Sequence, residues 1–241
     1  MLLLPLGAEG DDLRAKPVVT IALIALNALV FLYQFFLQAA PDPEALRSAR
    51  EFVFEFGLIP CRLTGQCGSP VDFPSPLTTV FTSMFLHGGL FHIFGNMLYL
   101  WIFGDNVEDV LGHGRFLFFY LASGVVAALA QTLVDPASQV PMIGASGAIS
   151  GVLGAYLILF PRAGVLTAII FGFFIRLVRI PAVIVLGFWI VVQVLNGLVT
   201  YGAGAMGRSV EGGVAFFAHV GGFVAGVALL FLLQPRRALR L

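Results

Sequence analysis

A chain of 241 residues that is 59% hydrophobic and only 11% charged, with a mean hydropathy of +0.98, is too apolar for an ordinary water-soluble domain. Its formal net charge of zero offers no basic face, which argues against nucleic-acid partners. The partner that composition requires is a lipid bilayer, and this length holds about six spans of roughly 20 residues with their loops and little else.

The apolar runs predict six spans, 18–37, 84–104, 115–134, 146–160, 181–199 and 213–233, and so an all-α, polytopic membrane bundle. The chain divides into a short N-terminal segment (1–17), a membrane domain (18–234) and a basic C-terminal tail (235–241). The run Met1–Leu6 is too short for a signal-peptide core and has no basic residues ahead of it, so the first span reads as an uncleaved signal anchor. The connection 38–83 is the longest, mixing charges and prolines with Phe52, Phe54 and Phe56, and loops of that length often carry function. It also holds the only two cysteines, Cys61 and Cys67, which either close a small disulfide loop in an oxidising compartment or remain inert thiols. Asp105, Glu108 and Asp109 read as a solvated loop after the second span. The apolar segment 164–175 is only twelve residues long and ends in Arg176, Arg179 and Pro181, so it is expected to be re-entrant or interfacial, with a seven-span count as the competing topology.

Basic residues orient the bundle. With the N-terminus inside, the cytoplasmic side receives Arg14, Lys16, Arg115, Arg162, Arg176, Arg179, Arg236, Arg237 and Arg240, and the exterior receives Arg47, Arg50, Arg62 and Arg208. That asymmetry places both termini in the cytoplasm, with the inner membrane of a bacterium as the expected location. The second, fourth and sixth spans then all run inward. His92 and Asn96, Ser146, and His219 accordingly share the exterior half of the bilayer.

Depth agrees. The fourth span ends before Pro161; at ~1.5 Å per residue it covers roughly 22 Å of a core ~30 Å thick, which leaves Ser146 roughly 8 Å below the outer surface. Counting from Gly212 puts His219 at roughly 10 Å. Gly147, Gly151 and Gly154 line one side of the fourth span, and Gly222 and Gly226 stand four apart on the sixth; small residues at such spacing let helix backbones pack closely in lipid. Ser146 and His219 are thereby expected within hydrogen-bond reach, as a nucleophile and its base.

Three strings carry a resemblance to a known family: Gly-x-Ser-Gly at 144–147, Ala-His-x-x-Gly-x-x-x-Gly at 218–226, and His-x-x-x-x-His-x-x-x-Asn formed by His87, His92 and Asn96. In their order and placement they resemble the rhomboid intramembrane serine proteases, over nearly the whole chain as a six-span core. The resemblance implies a Ser–His dyad without an acidic third member, Ser146 as nucleophile and His219 as general base. His92, Asn96 and the Ser146 backbone N–H would bind the oxyanion. It further implies transmembrane protein substrates, cut near the exterior face, and no cofactor. The chemistry is coherent in itself, since a serine needs a base to take its proton and a tetrahedral intermediate needs donors aimed at its oxygen. His92 and Asn96, four residues apart, project from one helical face.

The chain departs from some relatives in lacking a Trp-Arg pair in the first exterior loop. Where some carry a tyrosine that stacks on the histidine, Ser150 stands, so the residue that holds His219 is not legible. Competing readings are narrower. A lone serine among glycines is usually packing material, and His92 and Asn96 taken alone would be interhelical glue. His87 reads as a structural or loop-contacting residue. The four histidines do not share a location, because His113 falls on the opposite side, so a zinc site is disfavoured. A catalytically inactive relative that binds or escorts membrane proteins is the main alternative to the protease. A small transporter is disfavoured because the spans hold almost no ionisable groups.

Overall fold

The computed structural model describes residues 2–8, 15–39, 43–67, 74–171, 174–206 and 213–234. Arg14, Arg208, Arg236, Arg237, Arg240, Gly212 and the tail 235–241 lie outside the described residues. Each of the six expected spans contains helix: α1 (Val18–Ala39), α5 (Leu90–Leu111), α6 (His113–Val134), α7 (Ser146–Leu159), α8 (Ala182–Ala205) and α9 (Phe216–Leu233). Between α1 and α5 lie α2 (Pro43–Phe56), α3 (Pro60–Leu63), α4 (Pro76–Thr82) and a 3-10 turn, Ser83–Phe85. Among the described residues four helices are long and apolar enough to cross a membrane, α1, α6, α8 and α9. A bent pair makes a fifth candidate span, and α7 is a shorter apolar helix. This is a polytopic helical membrane bundle.

The second span differs from its expected bounds at both ends. It was expected from residue 84, but the chain bends by 82° between Pro76–Phe85 and Leu90–Leu111, at a break containing Gly88 and Gly89, where the backbone is freest to leave the helix. At its far end the helix runs on through Asp105, Glu108 and Asp109, which are therefore not a solvated loop. Glu108 is 1% exposed. Its carboxylate accepts the backbone N–H groups of Val19 at 2.8 Å and Thr20 at 2.7 Å and meets His113 Nδ1 at 2.6 Å. The first turn of α1 has no acidic residue of its own, so this carboxylate satisfies N–H groups that a helix start leaves without partners. Asp109 accepts the N–H of Ala15, in the segment leading into α1, at 3.0 Å.

Beside the helical bundle lies a three-stranded antiparallel sheet, β1 (Leu2–Ala8), β2 (Gly164–Phe171) and β3 (Phe174–Pro181), and it corrects the re-entrant half of the re-entrant or interfacial reading of 164–175. The central strand pairs on both edges, Thr167 facing Pro5 on one side and Val178 on the other. A short apolar run suits a buried strand as well as a membrane-dipping stretch, and partners far away in sequence decide between them. Val165, Thr167 and Ala168 are buried at the centre.

At the core, α7 lies against α5, α6, α8 and α9 and buries every residue from Ala148 to Tyr156. Contact with α9 is backbone to backbone. A Cβ at Gly222 would overlap the carbonyl of Gly147, one at Gly226 would overlap the backbone of Gly151, and one at Gly154 would lie 2.5 Å from the Phe223 carbonyl oxygen. The glycine spacing read from the sequence is this interface. It replaces side-chain burial, which drives little association in lipid, with close van der Waals packing.

The long connection is fastened to the segment that leads into α7. Leu58 and Met142 exchange both backbone hydrogen bonds, at 3.1 and 2.7 Å, Cys61 N–H donates to the Ser138 carbonyl at 3.0 Å, and Thr64 Oγ1 donates to that of Pro136 at 2.8 Å. Cys61 and Cys67 are joined in a disulfide.

Candidate active site

Ser146 is the first residue of α7, half-buried, and is delivered by Gly144 and Ala145. Gly144 has φ +126°, a conformation open to glycine and costly for other residues. Its N–H donates to the Ser83 carbonyl at 2.9 Å, which pins the approach to α7 against the 3-10 turn. His219 lies in the first turns of α9, and the glycine contact between α7 and α9 sets the two helices close enough for their side chains to meet. Ser146 Oγ and His219 Nε2 are 2.8 Å apart, across 73 residues of sequence.

The two other expected site residues are brought to the same place. His92 Nδ1 accepts the Gly88 N–H at 3.2 Å, which leaves the ring proton on Nε2. That Nε2 faces Gly144, where a Cβ would lie 2.7 Å from it and 3.6 Å from Asn96 Nδ2. Asn96 is 8% exposed, and its buried Nδ2 has no hydrogen-bond partner. Such orphaned donors are rare enough to need a reason. Two N–H donors therefore converge beside Gly144, next to the start of α7, whose first-turn N–H groups also lack helical acceptors.

His87 is fully buried and sits edge-on to His92, with ring centroids 5.1 Å apart. Its backbone N–H donates to Gln34 Oε1 at 3.0 Å, and its carbonyl accepts from Gln34 Nε2 at 3.3 Å. These backbone contacts tie the bend to α1, while both ring nitrogens of His87 are buried without a hydrogen-bond partner. His113 is remote, against Glu108. Among the described residues no three His, Cys, Asp or Glu are grouped to hold a metal ion.

Sequence reasoning missed the residues around His219. Gln193 on α8 meets His219 Nδ1 with its Oε1 at 2.8 Å, and Trp189, one turn earlier, has its ring centroid 5.8 Å from that of the imidazole. Ser150 does not contribute, because its hydroxyl donates back to the Ser146 carbonyl at 2.6 Å. Gln131 of α6 accepts the Phe217 N–H at 3.1 Å and so caps the start of α9 two residues before His219. The available signal was a glutamine inside a predominantly apolar span, one turn after a tryptophan. Ser146, His219, His92 and Asn96 open into a cavity of about 720 Å³ lined also by Phe91, Tyr99, Ile149 and Leu153.

Apolar helices around a short central helix, with a serine and an imidazole from distant segments joined at one end of it, define a multi-pass integral membrane protein with a built polar site. The sequence model of the Rhomboid domain matches residues 74–236, and the chain belongs to the rhomboid family. It is similar to RHOMBOID-like protein 1 of Arabidopsis thaliana, 28% identical over 236 residues, which cover 89% of this chain and 53% of that protein. It is also similar to Rhomboid protease GluP of Bacillus subtilis (strain 168), 46% identical over 76 residues, 32% of this chain and 14% of that one. A third relative, Putative rhomboid protease YdcA of the same organism, is 37% identical over 76 residues, 32% of this chain and 38% of that protein. The matched part spans about half or less of the length of these relatives.

Proposed function

We propose that this chain is an intramembrane serine endopeptidase that cuts single-span membrane proteins near the exterior face of the bilayer. The observation that carries the reading is the 2.8 Å contact between Ser146 Oγ and His219 Nε2 at a cavity large enough for a peptide segment. His219 Nε2 takes the hydroxyl proton as Ser146 Oγ attacks the scissile carbonyl carbon. The carbonyl oxygen becomes an oxyanion held by Asn96 Nδ2, His92 Nε2 and the Ser146 backbone N–H. Collapse breaks the C–N bond, and the proton on His219 passes to the leaving amine. Water, activated by the same imidazole, then hydrolyses the acyl-enzyme. The unpartnered Asn96 amide supports this assignment, because a donor meant for a charge that exists only during reaction has no ground-state partner.

The membrane domain 18–234 lies in this reading in a bacterial inner membrane with both termini cytoplasmic, as the distribution of Lys and Arg suggests. An alkaline phosphatase fusion after Leu241 tests the orientation: no phosphatase activity is expected, and an active periplasmic fusion reverses the topology. For the chemistry, a fluorophosphonate should label the purified protein at Ser146, with label lost in Ser146→Ala. Near-normal cleavage of a single-span substrate by Ser146→Ala would sink the protease reading.

A further inference from the structure

A base that serves Ser146 has to offer a lone pair, and a neutral imidazole has only one nitrogen to offer it from. Which nitrogen carries the proton is set by what the other one meets. Opposite Nδ1 of His219 stands Gln193 Oε1 at 2.8 Å, and an amide oxygen only accepts. The proton is therefore held on Nδ1, and Nε2 faces Ser146 Oγ with its lone pair. Both His219 and Gln193 are 9% exposed, so little water competes for the contact. Trp189 closes the site from the same helix, its ring tilted 37° to the imidazole plane. Residues four apart on one helix share a face, so α8 presents its amide to the edge of the ring and its indole to the face in a single approach.

We propose that Gln193 is a positioning residue for the base: its side-chain oxygen locks His219 as the Nδ1–H tautomer and fixes the ring against rotation, in the place that an aspartate takes in acidic triads. Its part in catalysis rests on the protease reading above, whereas its hold on the ring does not. When Nε2 takes the serine proton, the Nδ1–H remains on Gln193 Oε1, so the imidazolium is not released from its aim. A neutral acceptor stabilises that cation less than a carboxylate does, and the loss on removing it is correspondingly smaller.

The experiment is nitrogen NMR of histidine-labelled protein in detergent, with His219→Ala identifying the signal, alongside cleavage kinetics of a single-span substrate. Wild-type protein should show His219 protonated at Nδ1. Gln193→Leu should lower kcat by roughly 10-fold to 10²-fold, at the low end of what general-base catalysis contributes, leave KM nearly unchanged and raise the Nε2–H tautomer. Gln193→Glu keeps an acceptor oxygen and should keep Nδ1–H and most of kcat. A Gln193→Leu protein that retains the wild-type tautomer overturns the proposal. Should Gln193→Leu fail to fold, the wild-type tautomer decides together with Gln193→Glu: Nε2–H in the wild type, or kcat lost in Gln193→Glu, overturns it. If Ser146 takes no fluorophosphonate and no substrate is cut, the protease reading fails, while the tautomer measurement still rules on Gln193.

Discussion

The helices α7 and α8 reach the same histidine by opposite means. The first is buried at every residue from Ala148 to Tyr156 and meets α9 through glycine backbones, with no room for a single added carbon at Gly222 or Gly226. The second is only 28% buried in its apolar window and exposes Phe188, Leu195 and Val199, so most of its surface is left for lipid. Yet α8 supplies both side chains that hold the His219 ring. The approach of Ser146 to His219 thus rests on backbone contact, and the fine orientation of the imidazole rests on long side chains reaching from a loosely held neighbour. Backbone contact tolerates almost no change; a reaching side chain is replaced at smaller cost.

The largest effects should fall on the pair that α7 and α9 bring together. Ser146→Ala and His219→Ala should each lower kcat by roughly 10⁴-fold or more, and the double variant should lose little further, because the two act as one unit. Additive losses measured on the double variant would separate them. A step down is Asn96→Ala, expected to reduce kcat by roughly 10²-fold with little change in KM if its orphaned amide serves the oxyanion. If it is only glue between helices, kcat should hold and the unfolding temperature should drop, by the equivalent of about 1 kcal/mol. His92→Ala submitted to the same two measurements apportions the oxyanion between the two donors.

The packing contrast itself is tested by alanine. Gly226→Ala, whose Cβ would run into Gly151, should destabilise by about 1–3 kcal/mol and pull His219 away from Ser146. Gly187→Ala on α8 meets nothing within 4 Å and should be neutral, or stabilising by up to about 1 kcal/mol from helix propensity. Thermal unfolding in one detergent ranks them, and equal melting temperatures would dissolve the distinction between the two helices.

Much of this was legible in the residues. Glycine at fixed intervals announces which helix faces meet, and the direction of successive spans announces which polar groups share a level, so the pairing of Ser146 with His219 and the nearness of His92 and Asn96 followed. Gln193 and Trp189 did not, because an apolar span gives no amphipathic stripe to say which side faces inward. The sheet escaped because β2 finds its second edge in β1, more than 150 residues away at the other end of the chain. Glu108 escaped for a related reason: a carboxylate reads as solvent-seeking until the helix start that it serves, Val19 and Thr20, is placed beside it.

The brevity of α7 has one more consequence. A helix of 14 residues extends about 21 Å, well short of a hydrocarbon slab ~30 Å deep, and a lipid-facing helix of that size would force the bilayer to thin around it. Enclosed by four neighbours, α7 touches little lipid and imposes no such deformation. The height of Ser146 is therefore fixed by the surrounding protein and does not follow the lipid. In a thicker membrane the outer helices tilt or adapt while the hydroxyl keeps its level among them. Any chain lying in the surrounding lipid would then present a different residue at that level, which turns bilayer thickness into a ruler for where contact is made.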